Sequence, residues 1–143
     1  MENEQAVQQP EISLVEIYFQ RIDFDQIRGD RSGEIKLKIN NSFDFAKSND
    51  NKNVRTTINT TIGDEIGRIK LNLITVGIFK FRDGVDPQEQ KFPQIMVNTI
   101  WPFVRTQVSL VSTQPGIMPI MLPIQNPRVQ TKSNGDPDPD IFA

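Results

Sequence analysis

The carboxylates come first, because the chain contains neither histidine nor cysteine. Without imidazole or thiolate, the usual general base, the commonest zinc ligand and the cysteine nucleophile are excluded. Acid–base work would fall to pairs such as Asp23 with Asp25, or Asp64 with Glu65. Both pairs lie beside expected turns, where solvated carboxylates are ordinary. Asp136, Asp138 and Asp140 copy the opening spacing of a calcium loop, but Ile141 stands where that loop needs glycine and no glutamate follows. Gly63 and Gly67 are wrongly spaced for a phosphate-binding loop, and no Lys-Ser/Thr follows them. No serine has a histidine partner or a nucleophile-elbow context. These residues argue against an enzyme, and they require no cofactor or metal.

Length and charge narrow the reading further. The chain has 143 residues, 36% hydrophobic and 24% charged, with a formal net charge of −2. That length builds one domain with a core. A chain with no basic excess has little counterion release to offer a nucleic acid, so none is expected as a partner. No apolar run approaches the roughly 18 residues of a bilayer span, and the N-terminus lacks the pattern of a signal peptide. A cytoplasmic protein without stable membrane insertion is the expectation. Asn40 and Asn59 head glycosylation triplets, but both fall in expected strands and read as coincidence.

Residues 1–11 and 128–143 read as flexible tails around one domain, 12–127. Within it, Val15, Ile17 and Phe19 alternate and Ile22 and Phe24 continue on the opposite parity, which predicts a bulge. Ile35, Leu37, Ile39, Phe43 and Phe45 share one face of a second strand. Val54 to Ile62 alternate in a β-branched third strand, and Ile69 to Phe81 form a fourth that is apolar on both faces distally. Short polar turns between them predict a four-stranded antiparallel meander.

After Asp86-Pro87 the period changes. Met96, Ile100, Phe103, Val104, Val108 and Val111 fall on one helical face, with Ile95, Trp101 and Leu110 widening the stripe. Pro102 predicts a kink, and Gln114-Pro115-Gly116 predicts the end of the helix. The following segment, 117–124, is strongly apolar, but its prolines forbid a central strand or a regular helix. The fold class is therefore α+β, a sheet with one long Pro-kinked helix packed on it. Several elements carry more apolar surface than one small domain can cover. That surplus predicts oligomerisation, a surface open to apolar segments of other chains, or both.

Three motifs now suggest a family. Trp101-Pro102-Phe103-Val104-Arg105 resembles the Phe-Pro-Tyr-Ala-Arg-Glu signature in the long helix of SecB-type export chaperones. Val76-Gly77-Ile78-Phe79 is similar to their Gly-Gly-Ile-Phe, and Gly116 to Asn126 is similar to their Gly-Thr-Phe-Pro segment, Leu-rich stretch and Pro-Val-Asn. The resemblance covers about residues 12 to 127 in order. It implies a SecB-like sheet and helix assembled as a dimer of dimers, acting as an ATP-independent holdase. Its partners would be unfolded preproteins handed to SecA, or an antitoxin in a toxin–antitoxin system. A scaffold oligomer of the same fold without general client binding is the alternative.

The resemblance also implies roles for residues. Tyr18, Phe43, Phe45, Ile78, Ile117, Met118, Ile120, Met121 and Leu122 would bind clients. Met96, Ile100, Trp101, Phe103, Val104 and Val108 would build a homotetramer. The chain departs from the family at Thr106, where the motif has Glu, and at Phe103, where it has Tyr. The connection between the first two strands is short. A polar tail replaces the usual second helix, which implies a more open groove and argues against SecA coupling.

Overall fold

The computed structural model describes residues 10–26, 36–65, 67–113 and 119–129. Strands β1 (Ile12–Gln26), β2 (Leu37–Lys47), β3 (Asn53–Asp64) and β4 (Ile69–Phe81) form one antiparallel sheet, followed by helix α1 (Phe92–Ser112). Local chemistry sets the hairpins. Between β2 and β3, the Ser48 hydroxyl accepts from Asn53 N at 3.0 Å and donates to Asp50 at 2.6 Å, while Asn51 takes a φ of 60°. Such side-chain-to-backbone bonds are what Ser, Asp and Asn supply to tight turns. Between β3 and β4, Asp64 holds Ile69 N and Arg68, and Gly67 takes a φ of 82° that a Cβ would resist.

The strand order is β1-β4-β3-β2, which corrects the meander. Only β2, β3 and β4 follow one another; β1 lies beside β4 on the far edge. Gln26 pairs with Ile69 while Leu37 pairs with Asp64, so β1 ends and β2 begins at the same end of the sheet but on opposite edges. The physical reason lies in β4, whose two apolar faces suit an interior strand with neighbours on both sides. The regular β2, with Lys38, Ser42 and Asp44 on its outer face, tolerates an edge.

The parity change in β1 is real and doubled. Register shifts fall between Leu14 and Glu16 and between Phe19 and Arg21. Leu14, Ile17, Phe19 and Phe24 thereby all reach the face that carries α1, each half-buried. Val15 is displaced by the first shift and is 56% exposed, so it does not share a face with Ile17 and Phe19.

The core lies between α1 and one sheet face. Val54, Ile58 and Ile62 of β3 meet Leu71, Leu73, Phe79 and Phe81 of β4 beneath Phe92, Met96, Val97, Ile100, Trp101, Val104 and Val108. Burying each such side chain contributes about 1.5–3 kcal/mol. Pro93 opens the helix where its missing N–H costs nothing. Pro102 lies inside it and offers no N–H to the carbonyl of Asn98, which is an exposed residue. Phe103 departs from the expected buried stripe and stands 44% exposed, while Trp101 is buried at 2%.

Candidate functional site

The sheet face away from α1 carries a short apolar row on β4 with Tyr18 of β1 beside it, flanked on the same face by Glu16, Arg21 and Arg55. Tyr18 pairs with Val76, which sets both side chains on this face together with Ile74 and Ile78. Val76 is buried there, Ile74 and Ile78 are half-buried, and Tyr18 is 41% exposed. Sequence reasoning selected Tyr18 and Ile78 and missed Ile74 and Val76. Alternation along β4 carried the signal, since all three β4 residues share one parity. Phe43 and Phe45 lie on the opposite face, the first half-buried and the second at 1% exposure in the core. The sheet thus separates residues that the sequence grouped together.

Beyond α1 the chain runs as an extended segment, 119–129, here called the strap. It has no strand ladder and no helix, as its prolines require. Ile120 and Leu122 enter the core, whereas Met121 is 72% and Ile124 78% exposed. Ile120 N donates to the buried Ser112 hydroxyl at 2.7 Å, and Ser112 donates to Val108 O at 2.7 Å. The Trp101 indole donates to Pro123 O at 3.3 Å. Gln94 donates to Pro127 O and accepts from Val129 N, both at 2.8 Å, so the docked segment extends past the expected boundary at 127. Ile117 and Met118 lie outside the described residues.

Helix α1 contains a single charged residue, Arg105. Its outward side presents Ile95, Thr99, Pro102, Phe103, Thr106 and Leu110, all exposed and none charged. A helix side facing bulk water ordinarily carries charge. Of the residues assigned to subunit contacts, Met96, Ile100, Val104 and Val108 are fully buried against the chain's own sheet. Trp101 is buried beside the strap, and Phe103 alone of the six faces outward. Ile95 and Leu110, read earlier as part of the wide stripe, share its outward side.

Both candidate carboxylate pairs border one hollow of about 590 Å³ at the end of the sheet, together with Lys38, Lys70, Asn40 and Asn72. Asp23 is engaged by the Arg21 guanidinium. Burial pushes the Asp64 carboxyl up, but the Arg68 guanidinium at 2.8 Å and the Ile69 N–H at 3.1 Å outweigh it and hold the carboxyl below the usual range. Its two oxygens are thereby committed to a turn. Among the described residues, no three His, Cys, Asp or Glu side chains gather to hold a metal ion. Nor is any described helix long and apolar enough to cross a membrane. The arrangement offers apolar and backbone-directed contacts.

The architecture is that of SecB-like chaperones. A SecB-like chaperone of Mycobacterium tuberculosis, Rv1957, solved in complex with a ChAD peptide from the Rv1956 HigA1 antitoxin, superposes with a TM-score of 0.66 at 11% sequence identity. The match covers 81% of this chain and 88% of that chain, and at this identity it is a likeness of fold. No family model matches the chain, and no curated protein sequence matches it.

Proposed function

We propose that the chain is an ATP-independent, non-enzymatic polypeptide-binding chaperone, serving protein export or a dedicated antitoxin. The observation that carries this reading is apolar surface left uncovered on a domain whose core is already complete. Val15, Tyr18 and Ile22 are exposed on β1, Phe103 and Leu110 on α1, and Met121 and Ile124 on the strap. Scattered apolar residues are common on protein surfaces, but the charge-free side of α1 and the apolar row on the sheet are not scattered. The shared fold supports the reading, because the Mycobacterium tuberculosis protein was solved with an antitoxin peptide bound. The experiment is suppression of aggregation of a chemically unfolded protein in the absence of nucleotide.

Assembly belongs to the same proposal. The outward side of α1 pairs with its counterpart in other copies, through Phe103 and Leu110, to give the expected dimer of dimers in the cytoplasm. Several client surfaces on one oligomer turn weak contacts into avidity for one long chain. SecA is a partner of the export version only. The uncharged helix side also favours a second reading, a scaffold oligomer of this fold that binds no general client. Solution mass together with a negative aggregation assay would select it.

A further inference from the structure

The strap is held differently from the other extended segments. Backbone ladders hold β1 to β4, whereas side chains of α1 grip the backbone of the strap. Ser112 accepts from Ile120 N, Trp101 donates to Pro123 O, and the Gln94 amide clamps Pro127 O and Val129 N together. None of these bonds involves a strap side chain. An extended segment of another sequence, with two carbonyls and two N–H groups in this register, meets the same partners. Its two buried anchors are Ile120 and Leu122, spaced as alternate residues of an extended chain must be, while Val129 packs half-buried at the far end and Met121 Sδ accepts from Ser109 Oγ at 3.7 Å.

Two open hollows border the seat. One, of about 220 Å³, lies along the strap and α1 at Arg105, Ser109, Leu110 and Met121. The Arg105 Nε beside it is buried without a hydrogen-bond partner, which is costly for a cationic donor. A second hollow, about 580 Å³, opens at Gln94, Asn98, Gln125, Asn126 and Arg128. The strap therefore leaves room and an unused donor along the helix that holds it.

We infer that Gln94, Trp101 and Ser112 form a binding cradle for an extended polypeptide with apolar residues at alternate positions, and that the chain fills this cradle with its own strap. The competing ligand, an apolar client segment, rests on the proposed function; the cradle itself is testable apart from it. As a tethered occupant the strap competes at an effective concentration on the order of millimolar. It thereby covers Trp101 and the core when no client is present. A client that supplies two anchors and a carbonyl to Arg105 displaces it.

The test uses full-length protein and a fluorescent peptide of residues 119–129. In the variant Ile120→Ser/Leu122→Ser the tethered strap loses its anchors while the cradle stays intact. This variant is expected to bind the peptide saturably, at least about ten-fold more tightly than the wild type, whose own strap competes. A control peptide carrying both serines is expected not to bind. A folded variant that binds neither peptide, or both alike, overturns the inference. If the variant does not fold, hydrogen exchange on the wild type decides. The Ile120 and Val129 amides should lose protection at roughly millimolar peptide, and unchanged protection overturns the cradle. A negative aggregation assay beside saturable peptide binding would overturn the chaperone reading and leave the cradle standing.

Discussion

Ile100 sits directly over Gly77, so closely that a Cβ at position 77 would lie 2.6 Å from Ile100 Cδ1 and 3.0 Å from its Cγ1. The absent side chain lets α1 settle onto the centre of β4. This is a steric requirement, since the Gly77 backbone does not take a positive φ.

Gly77→Ala is expected to destabilise the fold by about 1–3 kcal/mol in urea denaturation, the usual cost of overpacking a filled core. Ile100→Val removes the Cδ1 that would clash. In that background the cost of Gly77→Ala should shrink, giving a coupling of at least about 0.5 kcal/mol. Strictly additive effects would show that the two residues do not meet.

Thr75 and Thr60 are both fully buried on the helix side of the sheet, yet only one hydroxyl is used. Thr60 donates to Asn41 Oδ1 at 2.8 Å, whereas Thr75 Oγ1 has no partner. Replacing an unsatisfied buried hydroxyl with a methyl of the same shape removes a penalty, so Thr75→Val should raise stability by up to about 1 kcal/mol. Thr60→Val should lower it by about 1 kcal/mol, because it strands the Asn41 amide oxygen. Equal losses in both variants would contradict this reading of the core.

Asp64 gives a pH signature with a definite sign. Its folded carboxyl titrates below the ordinary value of 3.8. The stability it contributes is therefore complete above that value and is lost as pH falls through the lower folded value. Asp64→Asn should melt earlier than wild type at neutral pH by a constant margin. The margin should close on acidification below 3.8, and one that persisted there would mean that the carboxylate charge does no stabilising.

Much of this was legible in the sequence, because alternation and turn chemistry are local. An Asp-Gly pair such as Asp83-Gly84 is a local turn signal, and Gly84, just beyond β4, takes the φ of 87° that such a turn calls for. The parity change before Ile22 disclosed one shift of β1, while the other, at Val15, was hidden because Val15 happened to match the parity of Ile17. The placement of β1 beside β4 could not be read, since no turn residue specifies a partner so distant in the chain. Residue type also failed to separate the two faces of the sheet, so Phe45 was grouped with Tyr18. The strap's attachment was invisible for a related reason: Gln94 and Ser112 look like ordinary polar helix residues until the chain folds back over them.

The outward side of α1 yields a prediction about mass. Phe103→Asp/Leu110→Asp should convert the proposed oligomer into dimers or monomers in light scattering coupled to gel filtration. Its melting temperature should change little, because both side chains are exposed. Trp101→Asp would instead damage the core and the strap together, since Trp101 is 2% exposed and bonded to Pro123. An unchanged mass in the double variant would remove this side of α1 from any subunit contact.

The central claim is that the uncovered apolar surface holds unfolded polypeptides. It is tested most directly by diluting a chemically unfolded, aggregation-prone protein into nucleotide-free buffer containing this chain, and following light scattering. The account predicts that scattering is suppressed at a near-stoichiometric ratio of oligomer to client. Undiminished scattering at large excess, with the chain shown to be folded, would contradict it.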